Sequence, residues 1–341
     1  MNRLAKLQGA LGVVEVLIVD NPVDLYYLTG LELSLGRVAV TKGQAFLFVD
    51  GRYFETAKQR APCEVLLSSV ETLQKTLEPF KQVGFDSQFV TVASYQTLQA
   101  QLPGKKWVPL PSPVQPLRLI KEAEEIAALK RAAVLTWRGY KHASSQLCEG
   151  VTEEEIAWAF ESFCRQHGAS ELSFASIIAF GENSAYPHHR AGKTRLKKNQ
   201  EVLIDVGAVV DHYAGDLTRV VFFGEADPEI ERMYKLTRRA QRLALEAAAP
   251  GVPVGELDRI ARESYGKEQE LFVHGLGHGI GLETHEYPRI REGGADRNCL
   301  LQPGMVFTIE PGLYRPGLGG VRYEDMVLMT EKGGVSMYAE L

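Results

Sequence analysis

The stretch Leu271-Phe272-Val273-His274-Gly275-Leu276-Gly277-His278-Gly279-Ile280-Gly281-Leu282-Glu283-Thr284-His285-Glu286-Tyr287-Pro288-Arg289 holds three of the chain's eight histidines and four glycines. Glycine lets backbone approach a neighbour closely or take φ > 0. Leu271 to Val273 reads as a strand leading into the histidines. The pattern is an unusual way to build a core strand, because glycines offer nothing to pack. It suits imidazoles gathered around something small. The plain alternative is a glycine-rich strand with incidental histidines. The carboxylates elsewhere in the chain decide between the two.

Four carboxylates lie in or beside apolar strands. Asp205 follows Val202-Leu203-Ile204, and Asp216 sits between Tyr213 and Arg219. Glu310 follows Phe307-Thr308-Ile309, and Glu324 lies between Val321 and Val327. Burying a carboxylate is costly unless positive charge compensates it. One such residue reads as a salt bridge. Four, with a histidine, ask for metal. The ligand set is Asp205, Asp216, His278, Glu310 and Glu324. It is too large for one tetrahedral zinc and fits two divalent ions ~3.5–4 Å apart. Hard oxygen donors favour Mn²⁺, with Co²⁺ or Zn²⁺ as alternatives.

Two such ions acidify a shared water. Glu310, at the metal edge, then carries its proton. His274 and His285 flank His278 and are placed to bond a substrate carbonyl and stabilise an oxyanion. His188, upstream of the Asp205 strand, is a candidate contact for substrate or leaving group, with a plain surface loop as the alternative.

The bulk properties exclude several classes. A net charge of -5 and a pI near 6.0, without a basic stripe, argue against nucleic acid as a partner. Cys63, Cys148, Cys164 and Cys299 form no C-x-x-C, which fits a reducing compartment. Met1 to Leu11 reads as too polar for a signal peptide, and no apolar run is long enough to span a membrane. The expectation is a cytoplasmic enzyme. With 341 residues, two domains are expected.

The first domain, residues 1–116, alternates helix and strand and is expected to be α/β with a mixed or mainly parallel sheet. It shows no glycine-rich nucleotide motif. Pro103, Pro109, Pro111, Pro113 and Pro116 read as a stiff linker. The second domain, residues 117–341, is expected to be α+β with an internal pseudo-twofold repeat. Gly150-Val151 and Gly251-Val252 each introduce a helix, 101 residues apart, and strands follow each helical pair. The hairpins carrying Asp205/Asp216 and Glu310/Glu324 come one from each half.

These residues resemble the pita-bread metallopeptidases, which include methionine aminopeptidase, aminopeptidase P and prolidase. The resemblance is carried by Pro187-His188, Ile204-Asp205-Val206-Gly207, Gly215-Asp216-Leu217-Thr218-Arg219, His274 to Gly279, Gly281 to Glu286, Thr308 to Gly312 and Val321 to Asp325. It implies that Asp205 serves one metal, His278 and Glu310 the other, and that Asp216 and Glu324 bridge. Leu25 to Gly30, Val49 to Tyr53 and Leu117 to Lys121 are similar to the small domain of prolidases and aminopeptidases P, which methionine aminopeptidases lack.

The resemblance therefore implies cleavage before proline in short peptides by a homodimer. His188, His274 and His285 would hold substrate groups. Arg322, a substrate-side cation, would also support the metal shell, and Arg289 would lie near the substrate carboxylate. That favours a dipeptidase, with aminopeptidase P as the alternative. His189-Arg190 departs from the pattern, in which a small residue commonly follows His188. A metal-free binding module and a creatinase-like amidinohydrolase share the fold, and the five intact ligands count against both.

Overall fold

The computed structural model describes residues 3–341; positions 1 and 2 of the polar N-terminal stretch lie outside them. Two compact units divide the chain, the first ending at Arg118 and the second spanning Leu119–Leu341.

The first unit is built on a six-stranded mixed sheet. Its strands are β1 (Val16–Val19), β2 (Arg37–Thr41), β3 (Ala45–Val49), β4 (Glu64–Leu67), β5 (Gln82–Asp86) and β6 (Lys106–Leu110), in the order β4-β3-β2-β1-β5-β6. The β2–β3 hairpin closes where Thr41 Oγ1 accepts from Gln44 N at 3.0 Å. Both faces of β1 are buried, so it reads as a continuous apolar run rather than an alternating one.

The proline-dense stretch is not a linker. Lys106–Leu110 pairs in parallel with β5, with Pro109 opposite Phe85. Proline is tolerated there because β6 is an edge strand, where a missing N–H leaves no ladder bond unmade. The segment beyond it is also tied down. Tyr27 Oη donates to Leu117 O at 2.8 Å, and Arg118 forms a buried ion pair with Asp24 at 2.9 Å.

The second unit repeats one arrangement. Helices α1 (Ala123–Ser145) and α2 (Glu153–Gln166) belong to the first half, α3 (Pro228–Ala247) and α4 (Val254–Tyr265) to the second. Thr152 and Glu155 make the capping box expected at the start of α2. Gly150 and Gly251 both take left-handed φ, +88° and +84°. Each is then held identically: Gly150 N donates to Leu196 O, and Gly251 N donates to Leu301 O, both at 2.8 Å. Leu196 and Leu301 return the bond to Val151 and Val252. The helices of the first half pack closely at Gly139, where a Cβ would lie 2.5 Å from Cys164 Sγ and 2.7 Å from Phe160.

Two antiparallel sheets carry the site. The first has β7 (Ile177–Phe180), β8 (Gln200–Val206) and β9 (Leu217–Phe223), with β8 central. The second includes β10 (Gly277–Gly279), β11 (Glu286–Ile290), β12 (Val306–Ile309), β15 (Asp325–Thr330) and β16 (Gly333–Ser336), in the order β11-β10-β12-β15-β16. A separate hairpin, β13 (Gly312–Arg315) and β14 (Gly319–Arg322), joins β12 to β15. A β-bridge between Thr218 and Glu324 joins the two halves, where Glu324 N donates to Thr218 O at 3.2 Å.

Leu271–Val273 is not a strand. A 3₁₀ turn covers Gly266–Leu271, and the strand begins only at Gly277. Phe272 and Leu276 are buried in the core while Val273 is 61% exposed. Arg262, paired with Asp258 at 2.9 Å, donates to the carbonyls of Phe272 (2.9 Å) and His274. It occupies acceptors that a strand partner would need.

Candidate active site

Strand alternation and two hairpins gather the carboxylates. Asp205 sits inside β8, opposite Ile177 and Thr218. The chain then turns back through Asp216 into β9. Glu310 follows β12, and Glu324 precedes β15 after the β13–β14 hairpin. His278 is central in β10. All five residues line one cleft of about 560 Å³. His188, His274, His285, Arg289 and Arg322 line the same cleft, so every candidate site residue is brought to it.

The centre of the cleft is a ring of acceptors. His278 Nδ1 donates to Gly279 O at 3.0 Å, which leaves Nε2 as a lone pair. Nε2 lies 3.7 Å from Asp216 Oδ2 and 3.4 Å from Glu310 Oε1. Burial, then the neighbouring His285, push the His278 pKa down to about 3, so the ring is neutral. Ligand atoms of Asp216, His278 and Glu324 lie within 4.8 Å of one another. Asp205 Oδ1 is buried without a hydrogen-bond partner.

The carboxylates are short of positive charge. Burial, then Glu324, Asp205 and Glu310, raise the Asp216 pKa well above the usual range. Burial and Glu324 do the same to Glu310, and burial and Asp205 push Glu324 up to about 8. The donor set, with an orphaned carboxylate oxygen and an unprotonated imidazole nitrogen facing carboxylates, fits divalent cations.

The supporting groups are fixed by hydrogen bonds. Thr218 Oγ1 donates to Glu324 Oε2 at 2.6 Å and accepts from Arg322 Nε at 3.1 Å. Thr308 Oγ1 accepts from His278 N at 3.1 Å and lies 3.4 Å from Glu310 Oε1. Arg322 also donates to Asp205 Oδ2 and, at 2.7 Å, to Tyr314 Oη. Three of its five N–H groups thus hold Thr218, Tyr314 and Asp205, which makes Arg322 a support of the carboxylate ring. His274 is held on both sides of its ring. Its Nδ1 bonds Gly275 O and its Nε2 bonds Tyr314 Oη, both at 2.8 Å, so neither nitrogen is left for a substrate.

His188, His285 and Arg289 remain exposed on the cleft wall. The His285 ring stacks edge-on to His278 at 4.2 Å. Next to His188, His189 Nε2 bonds Glu153 Oε2 at 2.9 Å. Glu153 is fully buried and also accepts from Phe180 N, Asn183 Nδ2 and Gly192 N.

The glycines have a different reason from the one expected. A Cβ at Gly277 would lie 2.1 Å from Thr308 O, and one at Gly279 would lie 2.3 Å from Tyr287 O. They admit the backbones of β12 and β11, not a ligand. Tyr314, Thr218, Thr308 and Glu153 were missed by the sequence reading. Thr308 and Thr218 carried a signal, since each lies two residues from a ligand, on the same strand face.

Residues 127–331 match the model of metallopeptidase family M24, and residues 1–120 match the creatinase/prolidase N-terminal domain. An Xaa-Pro dipeptidase of Pyrococcus furiosus is 34% identical over 94% of this chain and 92% of its own length. Among solved structures, an Xaa-Pro dipeptidase from Bacillus anthracis superposes with a TM-score of 0.95 at 30% identity, covering 99% of this chain and 97% of the other. The prolidase from Pyrococcus horikoshii gives 0.93 at 31%, covering 99% and 98%. The two-unit architecture is the small N-terminal domain followed by the pita-bread domain that the motifs implied. The family model matches most of the second unit and the relatives span nearly the whole chain: the chain belongs to metallopeptidase family M24.

Proposed function

We propose that this chain is an Xaa-Pro dipeptidase that hydrolyses the bond before proline with two divalent ions held by Asp205, Asp216, His278, Glu310 and Glu324. Asp205 would serve one ion and His278 and Glu310 the other, with Asp216 and Glu324 shared between them. The observation that carries this reading is the neutral His278, whose Nε2 lies 3.7 Å from Asp216 Oδ2 and 3.4 Å from Glu310 Oε1. Bound divalent ions supply polarisation of the scissile carbonyl and a water acidified toward neutral pH. The oxygen-rich donor set favours Mn²⁺.

The chain's own groups complete the reaction. Glu310 takes a proton as water adds to the carbonyl carbon, and returns it to the proline nitrogen as the C–N bond breaks. His188 and His285 donate to the carbonyl oxygen as it gains negative charge. Arg289 holds the substrate's C-terminal carboxylate. His274, in the cleft lining, supports the site by bonding Tyr314, which in turn accepts from Arg322.

Residues 117–341 form the catalytic domain and residues 1–116 a separate one; the division into compact units after Arg118 supports this. Free cysteines, with no disulfide among the described residues, support a reducing, cytoplasmic setting. Among the described residues no helix is long and apolar enough to cross a membrane. Exposed Leu35, Val70, Phe89 and Val92 on the first unit support a homodimer.

Mass spectrometry of Leu-Pro and Leu-Pro-Gly digests with Mn²⁺-loaded protein tests the activity. Cleavage of the dipeptide alone is expected. Comparable cleavage of both would make the enzyme an aminopeptidase P, and cleavage of neither would overturn the reading.

A further inference from the structure

The cleft walls carry more positive charge than a dipeptide's carboxylate needs. Its acidic lining residues are Asp205, Asp216, Glu310 and Glu324, all of them assigned above to metal. Two divalent ions balance those four charges. What remains on the walls is Arg190, Arg289, Arg291 and Arg322. Arg322 is buried and bonded to Asp205. The other three are exposed, and among the described residues no side-chain carboxylate pairs with them. The carboxylate of Asp296, beside Arg289, is engaged by the Arg289 backbone N–H at 2.9 Å. Arg291 reaches over Gly275, where a Cβ would lie 3.5 Å from its own Cβ. Arg190 follows His189, which Glu153 anchors.

A dipeptide with a neutral side chain brings one carboxylate, which Arg289 takes. Arg190 and Arg291 are then left over. No wall carboxylate is left for a cationic side chain. We infer that the cleft selects an acidic residue before proline, with Arg190 and Arg291 receiving the side-chain carboxylate of Asp-Pro or Glu-Pro. This rests on the dipeptidase reading above.

The test compares kcat/KM for Glu-Pro, its neutral isostere Gln-Pro, and Lys-Pro. Glu-Pro is expected to exceed Gln-Pro by ~3- to 10-fold at low salt, the scale of two partly exposed charge pairs. Lys-Pro is expected to be the poorest of the three. The Glu-Pro/Gln-Pro ratio is expected to shrink at ~0.3 M salt, where exposed charges are screened beyond a few Å. In the double variant Arg190→Gln/Arg291→Gln it is expected to fall to about 1, on the same charge-pair argument. Because the ratio is taken on one sample, any loss of folded protein cancels.

A wild-type ratio at or below unity, with all three peptides cleaved, overturns the inference and leaves the dipeptidase reading intact. So does a ratio that survives in the double variant. Failure to cleave any of the peptides would overturn the dipeptidase reading itself, and this inference with it.

Discussion

Replacing Thr218 with valine keeps the shape of the side chain and removes its hydroxyl. That hydroxyl donates to Glu324 at 2.6 Å and accepts from Arg322 at 3.1 Å, at the bridge joining the two halves of the catalytic unit. Thr218 is fully buried, so no water replaces it. Hydrogen bonds to charged groups contribute ~1.5–3 kcal/mol each. Arg322 keeps its bonds to Asp205 and Tyr314, so the lower end applies to both, giving ~3 kcal/mol. In a unit of this size each kcal/mol moves Tm by ~2–4 °C, so Thr218→Val is expected to lower Tm by ~6–12 °C. Glu324 would also lose its orienting donor, weakening metal affinity ~10-fold or more. Melting followed by circular dichroism, with Mn²⁺ titration of stripped protein, measures both. A Tm within ~2 °C of wild type with unchanged affinity would refute the claim that Thr218 organises this seam.

Other perturbations follow from the same geometry. Glu153→Ala strands three protein N–H donors and the His189 ring, and is expected to cost ~3 kcal/mol or more by urea denaturation and to raise KM by loosening the His188 loop. Gly139→Ala forces a methyl against Cys164 and Phe160 and is expected to destabilise by ~1–3 kcal/mol, measured as a shift in the same denaturation midpoint. The metal-free protein is expected to lose stability as pH rises. Glu324 has its folded pKa raised from 4.5 to about 8, so its contribution is complete below pH 4.5 and disappears as pH passes 8. Melts in chelator are therefore expected to show a lower Tm at pH 8.5 than at pH 5.5, and metal-loaded protein is expected to escape this loss; equal Tm values in chelator would count against the charge-starved site.

Much of the candidate site's carboxylate cluster was legible because its parts are local. Asp205 and Glu310 each end an apolar run, and the anomaly of a carboxylate there needs no tertiary information. The repeat was legible for the same reason, through Gly150 and Gly251, whose left-handed φ calls for glycine. What failed depended on partners distant in sequence. Leu271–Val273 has strand composition, yet Arg262, from α4, takes its carbonyls. The prolines near Pro109 look like a linker until an edge position in the sheet excuses them. His274 looked available, yet Tyr314 and the Gly275 carbonyl take its two nitrogens, and Tyr314, Thr218 and Asp205 take three of the five N–H groups of Arg322. Gly277 and Gly279 looked like room for a ligand, and the room is filled by neighbouring strands.

The central claim is that five side chains hold divalent ions and that hydrolysis before proline depends on them. The most direct measurement is the metal content of stripped, Mn²⁺-titrated protein beside its rate of proline release from Leu-Pro, for wild type and for Asp216→Asn. The account expects about two ions per chain, release that appears only as they bind, and loss of both in the variant. Stripped protein that stays metal-free when offered Mn²⁺, or that releases proline at full rate without it, would contradict the account.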